Sequence, residues 1–402
     1  MKKIIILIAS IMLIFVTIFA GCTTTEPENG DQDGQNGDGN GEPVGSIEWR
    51  MASFVPAVDV FSVPVTAWGD YMEEQTGGRF KLFTYFADSL VKSQGLLDAV
   101  ESGTTDVSMM TVSAWSERLP FQAPFAMMGS PFDNPPHIAL GVLHMYEWLG
   151  QKYPQYVEKF YGKTKIMWLN CPGPRSLILS NKPIKTLADM NGLKLTATSA
   201  EDIQGFKAVG SVTVPLFTGD HYMGLQTGVI DALHNEYNQA WLWRTYEVTK
   251  YRVENTIKKG SAYPTTYNVD SYNKLPADIK AIFDASFDPI DNSILYNSQW
   301  QAWHDAHKIV LGKWYEDHGY PAATYHYVLP ADESKKWNDL VKPVIQGWID
   351  RTNTAGLPGT EYWTEALRYA DEIRAQSAAD LAKVLPGYLA EVQAAEAAAA
   401  AK

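Results

Sequence analysis

The stretch NKPIKTLADMNGLKLTATSAEDIQGFKAVGSVTVPLFTGDHYMGLQTGVIDALHNEYNQAW, residues 181–241, alternates strand and helix signals in quick succession. Residues 193–197 alternate apolar and polar side chains, which suits a half-buried strand. Ser199 stands where a helix N-cap belongs, with Asp202 three residues on. Ile203, Phe206 and Val209 share one face of the helix that follows, and Gly210 stops it. Residues 212–215 are short and β-branched, a helix over 220–226 ends at Thr227-Gly228, and the apolar run 230–233 ends at His234-Asn235. Strands separated by helices predict an α/β fold with a parallel sheet, and such sheets bind ligands beyond the carboxyl ends of their strands. Phe217 and Asn235 each fall just past a predicted strand end.

The chain has 402 residues, 46% of them hydrophobic and 20% charged, enough for one large two-lobed unit or two domains. Its formal net charge is −13, which makes it a poor partner for nucleic acid or an anionic membrane surface. Residues 1–22 read as a lipoprotein leader: Lys2 and Lys3, an apolar run to Ala20, then Phe19-Ala20-Gly21-Cys22 with lipid attachment expected at Cys22. The apolar run is at the short end for a membrane span. Residues 23–46 contain no Lys, Arg or aromatic residue and are rich in Gly, Asn, Asp and Glu. Such a segment cannot bury apolar surface, so a disordered acidic linker spanning ~25–30 Å is expected. With Cys22 assigned to lipid, Cys171 is alone, so no internal disulfide is expected. It reads as a small buried hydrophobe rather than a catalytic thiol.

From the linker onward, residues 47–54 alternate as a first strand. A helix carrying Trp68, Tyr71 and Met72 follows and ends at Gly77-Gly78. Residues 79–86 form a second strand, SQGLLDAVESG a short helix closed by Gly103, and residues 106–110 a third strand. Thr111, Ser113 and Trp115 come directly after it, where ligand-facing polar groups collect; an N-cap Ser113 beside a core Trp115 is the equal alternative. Residues 264–269 read as a returning strand, and Pro276 opens a long helical region reaching His318. His304 and His307 lie three apart on it without further ligands, so no metal site is expected.

The order of these pieces, with KPIKTLADMNGLKL, the VPLF turn and LQTGVIDALHN, resembles the solute-binding proteins of TRAP (tripartite ATP-independent periplasmic) transporters, over nearly all of the chain after the leader. The resemblance implies a two-lobed periplasmic-binding-protein fold with hinge strands and a long lobe-bridging helix. It places residues 47–172 plus 261–300 in lobe I and 173–260 plus 301–402 in lobe II. It implies that Arg175, in GPRSLILSNKPI, contacts a ligand carboxylate, a role that suits a planar guanidinium. It assigns Asn235 to the ligand and Phe217 to the pocket wall; of the rings that extend this aromatic patch, Tyr237 reads as facing the cleft and Trp241 and Trp243 as core. The sequence departs from the family in two places. Thr196 follows GLKL where an arginine is usual, and Glu236 follows Asn235 where a proline is frequent. Thr196 offers one hydroxyl and no charge, and an acid at 236 facing the cleft disfavours an anion.

The expected function is therefore an extracytoplasmic, lipid-anchored binding protein that closes on a small organic solute, a carboxylate first of all. It hands that solute to a TRAP-type permease and uses no cofactor. A neutral or aromatic ligand delivered to a sensor or an ABC-type importer is the alternative. A secreted enzyme is disfavoured, because the sequence holds no nucleophile elbow, metal-ligand cluster or Gly-rich phosphate loop.

Overall fold

The computed structural model describes residues 46–132, 135–172 and 176–375. The leader, Cys22, the acidic linker and Arg175 lie outside the described residues. Strands β1 (Ile47–Ser53), β2 (Phe80–Tyr85), β3 (Val107–Met109) and β4 (Thr164–Asn170) form one sheet with the late strand β10 (Tyr263–Asn268), in the order β2-β1-β3-β10-β4. Strands β5 (Leu177–Ser180), β6 (Lys194–Thr196), β7 (Val212–Val214), β8 (Ala232–Asn235), β9 (Tyr251–Glu254) and β11 (His326–Val328) form a second, in the order β11-β9-β5-β8-β6-β7. Each sheet anchors one lobe, and the expected two-lobed α/β architecture is the one observed.

The sheets are mixed rather than parallel throughout. β1 is parallel to β2 and β3, and β6 is parallel to β7 and β8. β10 runs antiparallel to β3 and β4, and β5 runs antiparallel to β8 and β9. The reversed strands are the ones that follow a crossing between sheets. β5 follows β4 out of the first sheet, and β10 returns from β9 in the second. A segment arriving from the other lobe enters at the ligand end of the sheet, so it runs against strands that reach that end from within.

The first lobe is held by a dense aromatic core. Trp49 meets Phe80 at 5.3 Å and Phe283 at 5.6 Å in edge-on geometry, the arrangement ring quadrupoles favour. The indole N–H of buried Trp68 donates to Ser286 Oγ at 2.8 Å. In the second lobe Ser199 caps the helix Ala200–Ala208, its side chain accepting from the Asp202 N–H at 3.1 Å. Phe206 on that helix packs with Ile178, Leu195, Trp337 and Val341. The region expected to be lobe II after residue 301 contributes to both cores. Helix Ala331–Thr354 carries Trp337 and Val341 into the second, and helix Gly359–Ala375 carries Tyr362, Trp363 and Ile373 into the first.

The long helical region is two helices. Ala277–Ala285 ends before Asp288, and Pro289–Asp317 starts afresh. Proline cannot sit inside a helix without losing a hydrogen bond but fits its first turn, and Asp288 Oδ1 accepts the Ile290 N–H at 2.8 Å there. The second helix spans the two lobes. Near its start, Ser293 Oγ accepts the Leu169 N–H at 2.8 Å and Asn297 Nδ2 donates to the Leu169 carbonyl at 2.9 Å. Towards its end, Leu311 and Tyr315 pack with Leu177, Leu179 and Tyr237 of the second lobe. Cys171, where the chain leaves β4, is fully buried, and burial pushes its thiol well above the usual range.

The returning crossover packs closely. A Cβ on Gly260 would lie 2.0 Å from the Phe125 carbonyl oxygen. Next to it, Met128 pairs with Lys259 in an isolated bridge and reaches the second core. The segment after β3 is therefore tied to the hinge as well as to its own lobe.

Candidate functional site

Three strand ends of the first sheet and two of the second carry the polar groups at the junction. After β1 the chain turns through Asp59, which is fully buried. Asp59 Oδ1 accepts the Phe61 N–H at 2.8 Å, while Oδ2 is enclosed with no hydrogen-bond partner among the described residues. After β3, the Thr111 and Ser113 hydroxyls lie 2.9 Å apart, and Trp115 is nearly buried with Arg118 over its ring at 5.7 Å. Ser113 caps no helix with its side chain; Thr111 occupies the N-cap position of the short turn Val112–Trp115. At the end of β4, Asn170 Nδ2 donates to Thr265 Oγ1 at 3.1 Å and sits against Met109 Sδ at 3.2 Å.

In the second lobe, Asn235 ends β8 opposite Leu177 and is buried. Its Oδ1 accepts the Glu236 N–H at 3.0 Å, which sets the turn into helix Tyr237–Leu242. Glu236 is itself only 1% exposed. Thr196, at the end of β6, donates its hydroxyl to the Leu216 carbonyl at 2.8 Å. That bond holds the turn in which Phe217 sits half-buried, so Thr196 and Phe217 are brought together as one unit. Threonine in place of a cation here is a strand-to-turn tie.

Tyr237 differs from its expected place. It is 3% exposed and lies in the small core beneath the bridging helix, its hydroxyl donating to Glu254 and its ring 5.2 Å from the Arg252 guanidinium. Trp241 and Trp243, expected in the core, are the half-buried ones. The reason is the turn at Glu236, which starts a helix so that the next residue points back under the sheet. Burial works to raise the Glu254 carboxyl, but hydrogen bonds from Lys308 and Tyr237 outweigh it and hold the group below its usual range.

Charges and a chain of ring contacts connect the two lobes. Burial pushes Asp59 up to about 7, the Phe61 N–H opposes that shift, and the like charge of Glu236 from the other lobe adds to it. Asp88, after β2, is raised chiefly by burial, with Asp220 of the second lobe contributing repulsion against the pull of Ser93 and Lys92. Phe61 stacks on Trp300 with centroids 6.5 Å apart and planes 7° apart; Trp300 meets His304 at 4.7 Å, and His304 meets Tyr237 at 5.4 Å. Burial, with the Lys308 charge second, pushes His304 down to about 4. His307 lies against Trp241 at 5.7 Å and is pushed down to about 4 by burial alone. Both imidazoles are therefore neutral at physiological pH. Among the described residues no cluster of His, Cys, Asp and Glu could hold a metal ion.

Asp59, Trp300 and His304 were not singled out as ligand groups in the sequence. Asp59 is the one with a signal: an acid inside the apolar run Val58-Asp59-Val60-Phe61, directly after a strand.

A two-lobed α/β protein with buried polar groups at facing strand ends is a solute-binding architecture. Residues 51–351 match the model of the bacterial extracellular solute-binding protein family 7, and the chain belongs to that family. Among characterised relatives, the 2,3-diketo-L-gulonate-binding periplasmic protein of Escherichia coli K12 is 28% identical over 187 residues, 45% of this chain and 54% of that protein. The sialic acid-binding periplasmic protein of Vibrio cholerae is 24% identical over 213 residues, 52% of this chain and 59% of its own length. The alignments thus span a little over half of these relatives. A TRAP solute-binding protein from Rhodoferax ferrireducens with copurified benzoate superposes with a TM-score of 0.70 at 19% identity, covering 82% of this chain and all (100%) of that one. One from Roseobacter denitrificans with bound β-D-glucuronate gives 0.63 at 16% identity, covering 79% and 98%. These likenesses establish the fold. Membership of this family makes the protein extracytoplasmic.

Proposed function

We propose that the protein captures a small organic carboxylate between its two lobes and delivers it to a TRAP-type membrane permease, without transforming it. The observation that carries this reading is a two-sheet fold spanned by the helix Pro289–Asp317, with buried polar groups after the strands of both sheets, in a chain of this family. A ligand there is enclosed by both lobes, so its binding energy favours the closed form that a permease recognises. The bound benzoate and glucuronate of the two solved relatives support a carboxylate. In this reading Arg175 is the carboxylate clamp. Asn235, Thr111 and Ser113 supply hydrogen bonds, while Phe217, Trp115 and the Thr196 turn form walls, with Tyr237 supporting from beneath. The lobes divide near residues 172 and 260, and helix Gly359–Ala375 rejoins the first. The chain is tethered to a membrane through lipid on Cys22.

The test is a thermal-shift screen of the full chain against aromatic acids, sugar acids and aliphatic acids, with neutral sugars and polyols as the contrast. A ligand at 100 times its Kd stabilises by about 2.7 kcal/mol. Shifts from acids alone, abolished by Arg175→Ala with the apo melting temperature kept, support the reading. Shifts from neutral compounds alone overturn it. Thr196 favours that second reading, of a neutral ligand, because its hydroxyl brings no charge.

A further inference from the structure

Two consecutive methionines belong to different cores. Met127 is 1% exposed and lies in the core of the first lobe, with Phe125 and Phe132. Met128 is 0% exposed and lies in the core of the second, with Leu195, Phe206 and Trp337. The backbone at this point is held by the returning crossover. Gly129 N–H donates to the Lys258 carbonyl at 3.3 Å and Gly260 N–H to the Met127 carbonyl at 3.3 Å, which pairs Met128 with Lys259 in an antiparallel bridge. Residues paired in this way send their side chains to the same side. Here both go to one helix, Ala200–Ala208: Lys259 Nζ reaches Asp202 in its first turn, and Met128 reaches Gly205 one turn further on.

Gly205 is what admits the methionine. A Cβ there would lie 2.1 Å from Met128 Sδ and 3.1 Å from its Cε. Glycine is disfavoured inside a helix, and close approach by a neighbour is what requires it. A thioether side chain is flexible enough to fill such a socket without strain. Directly after it, Gly129 takes φ 78°, and a Cβ on it would lie 2.9 Å from Ile345 Cδ1 on helix Ala331–Thr354. A segment that follows β3 of the first sheet is therefore seated in the second lobe by its own side chain. Resting on the reading that the lobes close on a solute, we propose that Met128 is a positioning residue of the lobe junction. Seated against Gly205, it fixes the point about which the lobes turn, and so sets how the polar groups after the strands of the two sheets face each other. A close-packed plug moves with its socket rather than deforming, so the turning is read far from it, at the open side of the junction.

The experiment measures distances between paired spin labels in the full chain carrying Cys22→Ser, Cys171 being fully buried. Ser89→Cys and Gly219→Cys put one label on each lobe, at exposed positions past the carboxyl ends of β2 and β7. Gly219→Cys with Lys335→Cys, also exposed, is the control pair within the second lobe. Met128→Ala is expected to widen the cross-lobe distance distribution by about twofold, because an emptied socket no longer fixes the turning point, while the control pair keeps its own. Met128→Leu refills the socket and should keep the wild-type distribution. Gly205→Ala displaces Sδ and should shift the cross-lobe mean; added to Met128→Ala, where its Cβ has room, it should shift nothing further. A Met128→Ala protein that is folded by circular dichroism and keeps the wild-type cross-lobe distribution overturns the inference. Equal widening of both pairs overturns it too, since that marks an ordinary core residue. Where Met128→Ala does not fold, an unmoved mean in Gly205→Ala overturns it. The labels are read without any solute, so failure here leaves the carboxylate reading standing, and that reading falls only to the solute screen.

Discussion

The Asp202 carboxylate and the Lys259 ammonium lie 2.5 Å apart, with 6% and 7% of their side chains exposed. Asp202 sits in the first turn of the helix that Ser199 caps, and Lys259 sits on the crossover that returns the chain to the first lobe. The pair therefore locks a second-lobe helix to the hinge. Removing one partner leaves a charge enclosed, so Lys259→Met is expected to destabilise the protein by about 3–5 kcal/mol. The double variant Asp202→Asn/Lys259→Met should recover more than half of that loss. Urea denaturation of the three proteins measures it, and additive losses would show that the two residues do not act as a pair.

Asp59 gives stability a distinctive pH dependence. Its folded value, about 7, lies above the ordinary 3.8, so the folded state holds the proton while the unfolded chain gives it up. Its contribution falls as pH rises from about 4 to about 7 and is level above that. Asp59→Asn removes this loss. The variant should therefore gain on the wild type across that window, by on the order of a few kcal/mol at pH 8. Melting temperatures of both proteins from pH 4 to 8 supply the comparison; a difference that stays constant with pH contradicts the assignment.

His307 works in the opposite direction. Its folded value of about 4 lies below the ordinary 6.5, because burial disfavours the imidazolium. Below pH 6.5 the unfolded chain takes up a proton that the folded state refuses, so stability falls as pH drops towards 4. His307→Phe, filling the same space beside Trp241 and Trp303, cannot titrate. Relative to the wild type it should gain on the order of 3 kcal/mol between pH 7 and pH 4. Parallel stability curves for the two proteins would rule this out.

Gly260 tests the crossover by sterics alone. An added Cβ meets the Phe125 carbonyl oxygen at 2.0 Å, and that neighbour is backbone that cannot rotate aside. Gly260→Ala must displace either the hinge or the 123–126 helix, at a cost of about 1–3 kcal/mol or more. Gly219→Ala, on an open turn where a Cβ meets nothing within 4 Å, is the matched control. Equal melting temperatures for the two variants would show that the hinge adapts freely.

Local signals in the sequence were enough to determine many of the elements and their order, though not β9, β11 or the break before Pro289. Apolar alternation marks β1, β2 and β6, Ser199 marks a helix start, and Gly103 with φ 75° marks a helix end, since each depends on neighbours a few residues away. The acidic character was likewise legible, and so was the position of Asn235, Phe217 and Thr111 at or just after strand ends. Tertiary structure alone decided where side chains separated by long stretches of chain meet. It reversed β5 and β10 against their neighbours, because a strand's direction depends on which lobe the chain comes from. It placed Tyr237 beneath the sheet on Glu254 and returned the last helix to the first core. It also brought the Glu236 charge near enough to help raise the Asp59 carboxyl. Nothing in either residue's surroundings along the chain encodes that effect; it arises only when two sheets, each folded for its own core, bring distant charges near each other.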